Sequence, residues 1–174
     1  MLKLNKFIFF LFFFSCSSSE MINSTIDKNL IIPGKSAEGY IIGEMIDYSE
    51  DLVCFKQEKS IGEIVEIDSL KYLQFDCLFY IKNTSVLFLK NSRIIAIAGL
   101  NTERRITSDG VVLSRGIDNF ILNYGNSGLL TITKGNHRAY HFKDSGIILF
   151  NDFGDSSIDM YLIFKNKTLP PLSK

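Results

Sequence analysis

Alternation of apolar side chains with period two, appearing in both halves of the chain, constrains this sequence more than any other feature. From Lys71 to Asn83 the odd positions Leu73, Phe75, Cys77, Phe79 and Ile81 are apolar, while Tyr72, Gln74, Asp76, Leu78, Tyr80 and Lys82 are mixed. Successive side chains of a strand point to opposite faces. The pattern therefore predicts a strand whose odd face meets a core and whose even face turns to water or to a partner. Ile158, Met160, Leu162 and Phe164 repeat the pattern near the C-terminus, with Asp159, Tyr161 and Lys165 turned outward.

The two halves also align with one another. Gly39-Tyr40-Ile41-Ile42-Gly43 precedes Ile46-Asp47 as Gly110-Val111-Val112-Leu113-Ser114 precedes Ile117-Asp118, and Phe79 to Leu87 lines up with Tyr140 to Ile148. Self-similarity of this kind implies two repeated units. Each reads as a short apolar strand, a short helix, and a meander of antiparallel strands joined by Asn, Asp, Ser and Gly turns. Asp47, with Glu50 three residues on, predicts a capped helix running to about Glu58, with Gly62 beyond its end. Ile117, Phe120, Ile121 and Tyr124 share one face of a second helix that Gly125 stops. The expected fold class is α+β: two tandem repeats, 33–109 and 110–167, each a short helix packed on an antiparallel meander, with a tail at 168–174.

Residues 1–32 carry a different signal. Lys3 and Lys6 form a basic start, Phe7 to Phe14 is an unbroken apolar run, and Ser15 precedes Cys16. That order is an export signal, and the run is well short of the roughly 20 residues a membrane-spanning helix needs. Phe13-Phe14-Ser15-Cys16 resembles a lipobox, the site at which bacterial lipoproteins are acylated on cysteine and cut before it. Its departures from Leu and small residues resemble spirochaetal lipoproteins more than enterobacterial ones. The expectation is a signal peptide over 1–15, lipidation at Cys16, and a polar tether over 16–32. Two acyl attachments suffice for stable anchoring to the outer or inner membrane, with the domain outside the cytoplasm.

Composition bounds the rest. A hydrophobic content of 46%, with 15 Phe and 7 Tyr, is enough for a packed core. Two of the 19 basic residues lie in the leader, so the mature chain carries 17 basic groups against 19 acidic ones, a balance that offers nothing to nucleic acid. Of the remaining cysteines, Cys54 and Cys77 can form a disulfide in an oxidising compartment or stay as two buried thiols. Both alternatives are open in the sequence.

Gly, an apolar pair, Gly or Ser, a short helix, Gly and then a meander together resemble the helix-on-sheet repeat of SmpA/OmlA-type lipoproteins and of the β-lactamase-inhibitor-like proteins. The resemblance covers about Pro33 to Lys167, with Cys54 where the first helix should end in Gly and Gly116 where Ser or Thr usually caps the second. It implies protein–protein contact at the cell envelope.

Chemical motifs dissolve on inspection. Gly34-Lys35-Ser36 lacks the earlier Gly of a phosphate-binding loop, Asn29 standing there. Asp152-Phe153-Gly154 spells a kinase triplet without the other kinase motifs, and Asp152, Asp155 and Asp159 do not space as a calcium loop. His137 and His141, four apart on a strand, are separated by roughly 13 Å, too far to chelate one ion. Arg104-Arg105 reads as solvated linker. No metal, cofactor or nucleophilic site is implied, and the expected protein is a non-enzymatic binding or scaffold lipoprotein. Its partners are the membrane, through the anchor, and an envelope or host protein. Tyr72, Tyr80, His141 and Tyr161 are the candidate contact patch on an open sheet face, because rings at outward positions carry binding energy well. A carrier of a small ligand or lipid, and an enzyme without a recognisable motif, are the alternatives.

Overall fold

The computed structural model describes residues 27–46, 54–56, 59–81, 84–100, 102–126, 129–134, 137–151 and 157–165. The residues expected as a signal peptide, Cys16, the expected Asp47–Glu50 cap, Asp152-Phe153-Gly154 and the expected tail over 168–174 lie outside them. The short strands β1 (Leu30–Ile31), β2 (Ser36–Ala37), β3 (Tyr40–Ile41) and β4 (Phe55–Lys56) lead into β5 (Cys77–Ile81), β6 (Ser85–Lys90) and β7 (Arg93–Gly99). After β8 (Ile106–Thr107) come β9 (Leu129–Lys134), β10 (His137–Phe142), β11 (Ile147–Asn151) and β12 (Met160–Phe164). Helix α1 (Ile61–Ile64) and the 3-10 turn η1 (Asp68–Leu70) lie between β4 and β5, and η2 (Leu113–Arg115) and α2 (Ile117–Tyr124) between β8 and β9.

Eight strands make one antiparallel sheet in the order β4-β5-β6-β7-β12-β11-β10-β9. Two meanders thus meet through their last strands, β7 against β12. Register builds one apolar row across seven strands: Phe79, Leu87, Ile97, Ile163, Ile147, Phe142 and Leu129 are successive cross-strand partners. The next row, on the opposite face, runs Tyr80, Val86, Ala98, Leu162, Ile148, His141 and Leu130.

Both faces are covered, which corrects the expectation of an open one. Face A, with Leu87, Ile97, Phe142, Ile147 and Ile163, packs under β1, β2 and α2 through Ile31, Ala37, Ile117 and Phe120. Face B, with Phe88, Ala96, Ala98, Leu162 and Phe164, packs under α1 and η1 through Ile61, Val65, Ile67 and Leu70. Burial of both faces explains why all five residues of β12, Met-Tyr-Leu-Ile-Phe, are buried rather than every second one.

Local expectations fare unevenly. Helix α2 forms where its apolar spacing places it, between Gly116 and Gly125, both at positive φ. The strand expected from Lys71 begins only at Cys77, because the chain before it turns through and just after η1. The helix expected to reach Glu58 does not, since Phe55 and Lys56 are a strand paired with Leu78 and Cys77. The capping box lies further on, where Ser60 accepts from the Glu63 amide and Glu63 accepts from the Ser60 amide, so Gly62 sits inside a helix and not beyond one. Within the stretch expected as a tether, Leu30 and Ile31 pair in parallel with Ile106 and Thr107, and Ile31 is buried. Among the described residues no helix is long and apolar enough to cross a membrane.

Candidate functional site

The four candidate contact residues do not come together. Tyr161 projects into face A with no exposed surface, opposite Gly99, where its ring takes the space a Cβ would fill. His141 projects into face B and is 4% exposed. Half-buried Tyr80 shares its row but stands five strands away, roughly 24 Å at the usual strand spacing. Tyr72 is not on the sheet at all; it follows η1 in a turn and is 41% exposed. The expected outward patch is therefore corrected, and the reason is the second covering layer. Its signal was present as runs apolar on both parities, Val86 to Leu89, Ile147 to Phe150 and Met160 to Phe164, which mark strands buried on both sides.

What the fold does gather is a buried polar cluster on face A. Glu38, in the turn between β2 and β3 with φ of 57°, points inward. Arg105 Nη2 donates to Glu38 Oε2 at 2.6 Å, and the Tyr161 hydroxyl donates to Glu38 Oε1. Arg105 Nη1 also donates to the carbonyl of Lys28 at 2.6 Å and to Asn29 Oδ1 at 3.1 Å. Burial first, and the Glu38 charge second, push the Tyr161 phenol well above its ordinary range, so it stays neutral and donates. The expectation that Arg105 is solvated linker fails, whereas Arg104 beside it is exposed. The cluster binds four pieces of chain: the residues before β1, the β2–β3 turn, the segment leading into β8 and the centre of the sheet. Both Glu38 oxygens and both terminal nitrogens of Arg105 are used within the chain, with Arg105 Nε alone left without a partner among the described residues, so the chemistry of the cluster is that of a clamp.

A second polar contact, between an exposed serine and a buried histidine, lies on face B. Ser69 Oγ of η1 is 3.5 Å from His141 Nδ1, and the His141 ring meets Phe164 edge-on with centroids 5.6 Å apart. His137, by contrast, is half-buried at the start of β10. Cys54 and Cys77 are joined in a disulfide, with Cα atoms 5.5 Å apart. Among the described residues no group of three or more His, Cys, Asp and Glu side chains converges as a metal site would require. No family model, curated protein or solved structure matches the chain.

Proposed function

We propose that the chain is a bacterial cell-envelope lipoprotein, cut before Cys16 and acylated there, whose domain acts outside the cytoplasm by contact with another envelope or host protein. The observation that carries this reading is the Ser15-Cys16 junction behind Lys3, Lys6 and the Phe7–Phe14 run. The Cys54–Cys77 disulfide supports it, because such bonds persist in oxidising compartments. The meanders β5–β7 and β10–β12, whose sequences align, support tandem units fused through β7 and β12. A clamp role for Glu38, Arg105 and Tyr161 favours a scaffold over an enzyme, since these buried groups are spent on one another. The surface left for a partner is peripheral, where Met45 and Leu122 are 58% and 82% exposed.

Two measurements test this. Palmitate labelling should mark the wild type and not Cys16→Ala, and wild-type protein that stays unlabelled and partitions into the aqueous phase of a detergent separation overturns the anchor. Crosslinking in the native envelope should join the domain to a protein. Co-purified lipid without a crosslinked protein turns the reading to a carrier, and turnover of an envelope substrate turns it to an enzyme.

A further inference from the structure

The stretch from Lys59 to Asp76 is a closed unit set on face B. Its two ends are stapled by the Cys54–Cys77 disulfide and by the pairing of β4 with β5. A bridge between Ser60 and Gln74, with the Ile61 amide donating to the Leu73 carbonyl at 2.9 Å, closes the loop above that staple. Inside, α1 and η1 pack backbone to backbone, so closely that a Cβ on Gly62 would come within 2.4 to 2.6 Å of Lys71, Leu70 and Ile67 backbone atoms. The unit therefore moves as one piece whose single turns are held by the packing beneath them, and it meets the sheet through its apolar underside, through the contact of Ser69 with His141, and at its base through Asp76, whose amide donates to the Leu89 carbonyl and whose Oδ2 accepts from the Asn91 amide.

His141 stands under the far end of this cap. Leu130 and Ile148 flank it on the neighbouring strands, Phe164 lies against its ring, and Ser69 meets it from above. We propose that residues 59–76 form an acid-released lid, hinged at the disulfide, that lifts from face B when His141 takes up a proton. The charge that acts on the ring is that of Lys143, and it repels the proton. Lys143 lies in the turn just past β10, Asp68 of η1 and Lys71 just behind it pair with each other at 2.8 Å in solvent, and Lys165 past β12 is exposed. Burial first and the Lys143 charge second lower the imidazole from 6.5 to about 4 in the closed form. With the lid lifted the ring meets water and returns towards 6.5. The open form then binds the proton more tightly, so closure is fully favoured above 6.5 and weakens as pH falls through that value. The opening equilibrium rises close to tenfold per pH unit and levels off near 4, about 300-fold in all. Lifting uncovers Val86, Phe88, Ala96, Ala98, Leu162 and Phe164, an apolar surface that is hidden at neutral pH.

Hydrogen exchange of the whole chain, disulfide intact, read by mass spectrometry between pH 7 and 4.5 and corrected for intrinsic exchange rates, tests the lid. Peptides covering Ile61 to Leu73 should lose protection steeply on acidification while β6, β7, β11 and β12 keep theirs. His141→Phe and His141→Gln should both flatten that dependence. Undiminished steepness in both variants, or simultaneous loss in the cap and the central strands, overturns the proposal. A nuclear magnetic resonance titration of the folded wild type gives a check that needs no variant: His141 should titrate near 4, and a value at or above 6 sinks the mechanism.

Discussion

Arg105 brings a positive charge into the interior, and its hydrogen bonds to Glu38, Lys28 and Asn29 are what make that position tolerable. Removing one partner of a buried pair leaves the other charged and unsolvated, which costs more than the pair ever contributed. Arg105→Ala should destabilise the domain by about 3 to 5 kcal/mol in denaturant melts. Tyr161→Phe removes only a donor, leaves Glu38 its arginine, and should cost about 1 to 3 kcal/mol. Equal losses in the two variants would mean that Arg105 does not hold the Glu38 charge. Phe142, buried beside Phe120, should cost about 3 to 5 kcal/mol as Phe142→Ala, and half-buried Phe79 less.

At the scale of elements, α1 has four residues, too few to be helical alone, and owes its existence to its cap and its packing. The Ser60 side chain takes the Glu63 amide while the Glu63 carboxylate takes the Ser60 amide at 2.6 Å. Ser60→Ala should therefore cost about 1 kcal/mol. The Ser60 amide, then its hydroxyl, hold the Glu63 carboxyl below its ordinary 4.5. A carboxylate with a depressed folded value stabilises above its unfolded value and loses that contribution as pH falls. Acid melts of Ser60→Ala should accordingly show a smaller loss below 4.5 than the wild type. The disulfide spans a separation of 23 residues, so Cys54→Ser with Cys77→Ser should lower stability by about 3 kcal/mol, mostly through the freed unfolded chain.

On the scale of the whole molecule, the two halves share a sheet and a clamp. β12 lies between β7 and β11, β1 pairs with β8, and Glu38 reaches both Arg105 and Tyr161. A chain cut to residues 110–174 loses β7 from the edge of β12 and Ile31, Ala37 and Leu87 from the core around α2. It should show no cooperative thermal transition by circular dichroism. A sharp melt of that fragment would make the second half an independent domain.

Much of the local structure was legible because its causes are local. Ile117, Phe120, Ile121 and Tyr124 recur at helical spacing between two glycines, and α2 forms there. Alternation marked β5, β10 and β12, and the alignment of Phe79 with Tyr140 and of Tyr80 with His141 placed each pair on one sheet face. The sequence by itself therefore determined that α2 is helical, that β5, β10 and β12 are extended and which parities go together, since these follow from steric preference and period, while the helix expected to reach Glu58 gave way to the pairing of β4 with β5. It did not determine whether the second parity met water. Tyr161 and His141 are buried because the N-terminal segment closes over face A and the disulfide-stapled cap closes over face B, and both contacts join residues distant in sequence. For the same reason Arg105 looked like linker: the carboxylate that receives it lies 67 positions away, and only the pairing of β1 with β8 brings the two into reach.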